Sequence, residues 1–262
     1  MKFSFGAYHI AVNMPDRATL QTEVVARLAA GQGFALATIN LDHLVKLRNS
    51  VPFRSAYAAQ DLVVADGNPI VWLSHLAGRP VHLLPGSDLV LPLCQIAVDL
   101  DLPVVFLGAT PETLDGAEAR LRSRFPGLKV VRKIAPPMGF DPKGPLATQI
   151  LEGLAPLGPA LCFVALGAPK QEILAAHGRA LAPQIGFASV GAGLDFLSGH
   201  QVRAPSWVRA LALEWLWRAL SAPRRLIPRY AACAAIFPGQ ALAALRLREV
   251  HHPIANSKNF RQ

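Results

Sequence analysis

The sequence is short of charge: 16% of its 262 residues are charged and 52% are hydrophobic, which excludes a disordered or low-complexity chain. It has only three cysteines, Cys94, Cys162 and Cys233, far apart and without CxxC or CxH spacing. That excludes a disulfide framework and gives no zinc signature, and unpaired thiols suit a reducing compartment. The first fifteen residues hold one lysine and no clean apolar stretch, so no secretory signal is read there. No run reaches the roughly 20 apolar residues that a membrane span needs. The longest uncharged stretches, near 153–169 and 230–245, are interrupted by proline and glycine. Neither GxxxxGK followed by Ser or Thr nor a strand-linked GxGxxG occurs, which weakens NTPase and dinucleotide readings.

The charge that is present is unevenly placed. Residues 200–262 carry ten Lys and Arg against Glu214 and Glu249, net +8, while residues 1–199 are nearly neutral at +1. A cationic end of this kind seeks phosphate, whether in lipid headgroups, a pyrophosphate or nucleic acid. Trp207, Leu211, Trp215 and Arg218 space residues 205–222 as an amphipathic helix. Arg224, Arg225 and Arg229 follow, then an Ala-rich apolar stretch that reads as broken at Pro238-Gly239. Cations interleaved with Trp, Leu and Phe are what an interfacial helix needs, with its apolar face among acyl chains and its arginines on anionic headgroups. Two units follow: a core over 1–199 and a cationic helical appendage over 200–262.

Within the core, short apolar runs alternate with amphipathic stretches. Strands are expected at 34–40, 62–66, 104–108, 128–134, 160–166 and 185–190, mostly as continuous hydrophobic runs, the pattern of strands buried on both faces. Helices are expected at 17–30, 68–77, 87–99, 111–124, 145–154 and 170–181, and an antiparallel edge hairpin before Arg17. The alternation predicts an α/β fold, a Rossmann-like, mostly parallel sheet flanked by helices, with a helical C-terminal appendage. Thr110 reads as an N-cap ahead of Pro111, and Ser87 as a hydroxyl cap with Asp88 in the first turn.

In an open α/β sheet, ligands collect at the carboxyl ends of the strands. Four expected strand ends carry polar or Gly-rich sequence: 38–40, 66–68, 167–172 and 191–199. Asp66 ends a buried run, where a carboxylate facing a crevice can serve as a general base; the plainer reading is a cap on the next helix. Thr38 and Asn40 can orient a sugar or a base, or simply form a turn. Gly167, Pro169, Lys170, Gln171 and Glu172 combine a close-approach turn with a helix start that offers N–H groups to an anion, or else make an ordinary Pro-started helix. Gly191, Gly193 and Asp195 form a second such loop, with Asp195 placed to pair with an arginine and Arg203 to reach a phosphate. Asp99-Leu100-Asp101 has the DxD spacing of metal-dependent sugar transferases but ends a helix, where a solvated terminus is the simpler reading. His251-His252 lacks a partner cluster, and Cys162 reads as core.

Taken in order, these motifs resemble the WecG/TagA/CpsF glycosyltransferases. The resemblance runs from about Ala37 to Tyr230. It is carried by Thr38-Ile-Asn40, Ala65-Asp66-Gly67, Gly86-Ser87-Asp88-Leu89, Phe106-Leu107-Gly108 and Phe125-Pro-Gly-Leu128. Further along it is carried by Gly167-Ala-Pro-Lys-Gln-Glu172, Gly191-Ala-Gly-Leu-Asp-Phe196, Arg203-Ala-Pro205, Glu214-Trp-Leu-Trp-Arg218 and Pro223-Arg224-Arg225. It implies an inverting hexosyltransferase that moves a sugar from a UDP-sugar to a polyprenyl-diphosphate-linked acceptor in bacterial cell-surface polysaccharide synthesis. It also implies work at the inner face of the cytoplasmic membrane, with no cofactor and no metal.

On that resemblance the base falls on Asp66, with Thr38, Asn40 and Gln171 beside it as candidate catalytic residues. Gly67, Gly86, Ser87, Asp88, Gly108, Gly167, Pro169, Lys170, Glu172, Gly191, Asp195, Arg203, Arg224 and Arg225 are candidate substrate contacts. The Arg-rich end is expected to dock on an anionic membrane and help close the site, and a homo-oligomer stays open. One position departs from the pattern: where many members carry an arginine three residues before the Gly-Ser-Asp glycine, this chain has Leu83, preceded by His82. Two other readings compete. A Rossmann-like oxidoreductase explains the sheet but not the cationic end. A nucleic-acid-binding protein explains the charge, but the Trp, Leu and Ala around it fit lipid better, so no nucleic-acid partner is expected.

Overall fold

The computed structural model describes residues 1–201, 204, 205, 207, 208, 211 and 213–249; the side chains of residues 218, 221, 225 and 249 lie outside the description. Arg203, the Arg225 side chain and His251-His252 therefore lie outside the described residues.

The chain opens with β1 (Lys2–Phe5) and β2 (Tyr8–Ala11), then α1 (Arg17–Ala29), β3 (Phe34–Ile39), α2 (Leu41–Asn49), α3 (Val51–Ala58) and β4 (Leu62–Ala65). Next come α4 (Asn68–Leu76), α5 (Gly86–Asp99), β5 (Pro103–Gly108), α6 (Pro111–Arg124), β6 (Lys129–Ile134) and α7 (Pro145–Leu154). The described chain closes with β7 (Ala160–Ala165), α8 (Lys170–Leu181), β8 (Ile185–Ser189), α9 (Gly193–Ser198), α10 (Glu214–Ser221) and α11 (Pro223–Glu249).

Six strands form a parallel sheet in the order β4-β3-β8-β7-β5-β6. β3, β4, β7 and β8 are buried along their whole lengths, as their unbroken apolar runs require. Only β6, at an edge, is largely exposed, and its Lys129, Arg132 and Lys133 suit an edge that must not pair with another chain. Alternate residues feed two layers. Phe34, Leu36, Val64, Phe106 and Phe163 pack under α1, α5, α6 and α9. Ala37, Ile39, Val63 and Ala65 pack with α2, α3 and α4, and Val105, Cys162 and Phe187 with α7 and α8.

All six expected strands and all six expected core helices are present, most within a residue of their expected bounds. The three cysteines are free and buried. Four expectations are corrected. The N-terminal hairpin does not join the edge of the main sheet; β1 and β2 form a separate antiparallel pair, held against β4 by the Met14 N–H to Val63 carbonyl bond at 3.2 Å, by the Val63 N–H to Asn13 Oδ1 bond at 2.7 Å and by Phe3 and Ile10 packing with Val63 and Ala65. Ser87 does not cap α5, because that helix starts one residue earlier at Gly86, with Pro85 at the cap position. α2, α3 and α9 were not expected. Asn40, read as a turn former, accepts from the His43 N–H at 3.0 Å and is the side-chain cap of α2, a contribution of about 1 kcal/mol.

The fourth correction concerns the C-terminal stretch. Pro238-Gly239 does not break it: α11 runs continuously from Pro223 to Glu249 with Pro228 and Pro238 inside. Residues Leu226–Arg248 consequently make one helix long and apolar enough to cross a membrane by length and composition, contrary to the reading of interrupted runs. α11 lies across α2 and α4. Ile236 and Ala244 join the core beside them, and Phe237 meets Trp72 edge-on at 6.3 Å.

Candidate active site

The four polar strand ends belong to β4, β3, β8 and β7, which are neighbours in the sheet, so their tips share one edge. Asp66 follows β4 directly. Its backbone N–H donates to the Ile39 carbonyl at 2.8 Å, which extends the β3–β4 ladder by one residue and fixes the side chain's origin. Its half-buried carboxylate accepts from Asn40 Nδ2 at 3.4 Å. Asp66 does not cap α4; Gly67 holds that position, with no side-chain cap. Asn40 thus serves two elements, its oxygen capping α2 and its nitrogen holding Asp66. Thr38 is buried in β3 beside Val64 of β4.

The β7 and β8 tips are tied by Gln171. This residue is buried; its Oε1 accepts from the Gly191 N–H at 3.1 Å and its Nε2 donates to Glu172 Oε1 at 2.8 Å. Lys46 of α2 reaches across to the same turn, donating to the Ala168 carbonyl at 3.1 Å, while pairing with Asp42 at 2.8 Å. Asp42 also pairs with Arg229 of α11 at 3.0 Å, so the C-terminal helix is bonded to the wall of the crevice. Gly167 is exposed, and Pro169 and Lys170 are half-buried, at the mouth of this turn.

Two glycines are required by close packing. A Cβ on Gly108, whose φ is +112°, would lie 2.4 Å from the Ala165 carbonyl oxygen of β7. One on Gly86 would lie 3.1 Å from the Val190 carbonyl oxygen, so the start of α5 sits against the β8 tip. Ser87, Asp88 and Gly193 line a groove of about 630 Å³ beside α1, together with Arg17, Gln21 and Arg124. The expected substrate contacts thus divide between the Asp66 crevice and this groove on the α1–α5 side.

Glu172 sits differently from its expected role as a substrate contact. Glu172 is fully buried beneath the crevice, so it touches no substrate in this conformation. Burial pushes its carboxyl up to about 7, and burial pushes the neighbouring His43 down to about 3, leaving that imidazole neutral. The 3.9 Å approach of His43 Nδ1 to Glu172 is therefore no ion pair; His43 instead bonds to the Tyr57 hydroxyl at 3.0 Å. Asp195, expected to meet an arginine, is half-buried facing Thr113 and His200, and burial raises its carboxyl. Arg224 is exposed in the first turn of α11. At the departure from the family pattern, Leu83 is exposed and pairs with Ala65, and His82 is exposed beside Asp16. Asp99 and Asp101 precede β5, at the opposite edge of the sheet from the crevice. Asp99 accepts from Gln95 and Asp101 pairs with Lys129 at 2.6 Å, so the DxD spacing is a helix terminus. Sequence reasoning missed His43, Tyr57 and Asp42. Their one legible signal was Asn40 followed by a helical pattern.

A carboxylate held by an amide at the carboxyl edge of an open parallel sheet defines an α/β enzyme with its crevice where such folds bind ligands. The chain matches the glycosyl transferase WecG/TagA/CpsF family over residues 7–250 and belongs to that family; it is a glycosyltransferase. It is similar to the N-acetylglucosaminyldiphosphoundecaprenol N-acetyl-beta-D-mannosaminyltransferase of Bacillus spizizenii (strain ATCC 23059 / NRRL B-14472 / W23). The two are 28% identical over 211 residues, which cover 78% of this chain and 79% of the relative. Membership sets aside the oxidoreductase and nucleic-acid-binding readings.

Proposed function

We propose that the protein transfers a hexosamine-type sugar from a UDP-sugar to a polyprenyl-diphosphate-linked acceptor, with Asp66 as general base. The observation that carries this reading is the Asn40–Asp66 pair at the joined tips of β3 and β4. It presents a carboxylate, already oriented by a neutral donor, two strands along the sheet from the Gly191 end of the Gln171–Gly191 tie. The named substrate of the Bacillus relative, a diphosphoundecaprenol carrying N-acetylglucosamine, supports the acceptor class.

In this reading an acceptor hydroxyl attacks C1 of the donor sugar on the face opposite the diphosphate. The new C1–oxygen bond forms as the C1–phosphate oxygen bond breaks, the hydroxyl proton passes to Asp66, UDP departs, and the anomeric centre inverts. The transition state resembles an oxocarbenium ion, with charge growing on the diphosphate. No metal is called on: the N–H groups opening α8 and α5, Lys170 and the arginines at 203, 224 and 225 are the proposed counter-charges.

The acceptor is lipid-borne, so the exposed apolar side chains of the C-terminal region have a use. Trp207, Leu211, Trp215, Leu220 and Ile227 are exposed, as is Arg224. They suit a peripheral position on the anionic inner face of the cytoplasmic membrane, with 200–262 as docking appendage to a 1–199 catalytic core. The deciding experiment offers radiolabelled UDP-sugars, UDP-N-acetylmannosamine among them, with undecaprenyl-diphosphate-linked N-acetylglucosamine. A slower-migrating labelled lipid is the expected product; no labelled lipid with any UDP-sugar sinks the reading.

A further inference from the structure

Beneath the crevice lies a buried polar cluster that the transfer chemistry does not itself use. Glu172 Oε1 accepts from Gln171 Nε2 at 2.8 Å, while Oε2 has no hydrogen-bond partner among the described residues. Gln60 donates to the Glu172 carbonyl at 3.0 Å, which pins the first turn of α8 to α3. The titratable and charged groups facing Glu172 are Asp42, His43 and Lys46 from α2 and Tyr57 from α3, with Asp66 acting on the same tyrosine.

A side-chain amide has an oxygen end and a nitrogen end, and a half-turn exchanges them. Turned over, Gln171 would set an NH2 group against the Gly191 N–H, donor against donor. An acceptor opposite its nitrogen permits only the observed orientation, and Glu172 Oε1 is that acceptor. We propose that Glu172 is a positioning residue for glycosyl transfer: its carboxyl oxygen fixes the Gln171 amide, which holds the Gly191 N–H and so sets the spacing of the β7 and β8 tips. It acts through hydrogen-bond geometry and neither touches substrate nor moves a proton in the reaction. The inference rests on reading the crevice as the transfer site.

Geometry and charge are separated by two variants of the full-length protein. Glu172→Gln keeps an acceptor oxygen at the same reach and loses the charge. Glu172→Asp keeps the charge and draws the oxygens back by one methylene. Amide exchange of Gly191 is read by NMR, and turnover with UDP-N-acetylmannosamine and lipid-linked N-acetylglucosamine is followed across pH. For Glu172→Gln the expected result is native Gly191 protection, turnover within about threefold of the parent and an unchanged pH profile. For Glu172→Asp it is Gly191 exchange faster by about tenfold and turnover lower by about tenfold or more. Glu172→Asp matching or exceeding Glu172→Gln, or losing turnover with Gly191 still protected, overturns the proposal. If the aspartate variant does not fold, Gln171→Met must speed Gly191 exchange to the same degree, and native exchange there overturns the proposal too. The exchange measurement needs no substrate, so a failure of the transfer reading leaves this test intact.

Discussion

Every residue of β7 is buried, whereas α11 touches the body along one stripe, Leu226, Cys233, Ile236 and Ala244, and leaves Ile227, Leu242 and Leu245 in solvent. The strand is held by ladders on both sides and side chains on both faces. The helix is held by its stripe, the Phe237–Trp72 contact and the Arg229–Asp42 pair. Truncating Phe163, the phenylalanine of β7, removes packing on a filled interior and costs about 3–5 kcal/mol. No such cost guards the outer face of α11. A region that keeps large apolar groups outside the fold is suited to meet another surface; on the proposed reading that surface is an anionic membrane, which its excess of arginine fits. On the proposed reading, chemistry belongs to the fully packed half and delivery of a lipid-borne acceptor to the half held along one stripe.

The sharpest way to break this division is Asp66→Asn. Removing a general base costs about a hundred- to ten-thousandfold in kcat, while the amide keeps the volume and leaves the melting temperature nearly unchanged. Retained turnover would move the chemistry away from the β4 tip. Deleting residues 200–262 tests the other half. The expected product is a folded core that still binds UDP but no longer sediments with anionic vesicles and loses most of its turnover. Because Ile236 and Ala244 complete the core beside α4, this core is also less stable than its parent, by about 1–3 kcal/mol. Full activity without the appendage would merge the two roles.

The pH dependence of stability probes the seam between the halves. Glu172 in the folded protein holds its proton up to about 7, against an ordinary 4.5. Between those values the unfolded chain has released a proton that the folded chain keeps, so this group's stabilisation is present below 4.5 and is lost as pH rises to 7. His43 works in the opposite direction: depressed from 6.5 to about 3, it loses stability as pH falls through that range. The two slopes oppose each other between 4.5 and 6.5. Glu172→Gln removes one of them, so its stability relative to the parent grows by about 2–3 kcal/mol from pH 5 to pH 8. Parallel urea-unfolding profiles across that range would show that the carboxyl is not held protonated.

The two halves were also unequally legible in the sequence. The core strands are near-continuous Val, Ile, Leu, Phe and Ala runs between clear punctuation, and burial on both faces leaves such runs little choice. The crevice was legible as strand ends and not as contacts. Asp66, Asn40 and Gln171 could be named from their positions, but the bond between Asn40 and Asp66 joins residues 26 apart, and only the β3–β4 register brings them together. From the sequence, Glu172 reads as a candidate substrate contact at a helix start. Its burial involves Tyr57 and His43, on two helices not expected from the sequence; the start of the first, after Asn40, reads as a turn. In α11 Pro238 with Gly239 pointed to a break, and Pro228 is a second proline in the same helix. Both stand within a continuous helix on whose surface water can satisfy the carbonyls they leave free.

The smallest expected effect concerns the bond between the halves. Asp42 Oδ2 receives Lys46 at 2.8 Å and Arg229 at 3.0 Å, and its carboxylate is 10% exposed while the Arg229 side chain is 37% exposed. Lys46 in turn holds the Ala168 carbonyl at the crevice mouth. Removing the arginine leaves Asp42 paired with Lys46, so Arg229→Met costs less than about 1 kcal/mol, as expected of a partly screened pair. Removing the carboxylate leaves two cations facing each other with their shared partner gone, so Asp42→Asn costs more, about 1–2 kcal/mol. It also loosens Lys46 from the Ala168 turn. Urea unfolding gives both costs, and hydrogen exchange along 223–249 shows whether α11 frays. An arginine variant as costly as the asparagine variant would mean that the pair serves the helix, and that the crevice wall stands without it.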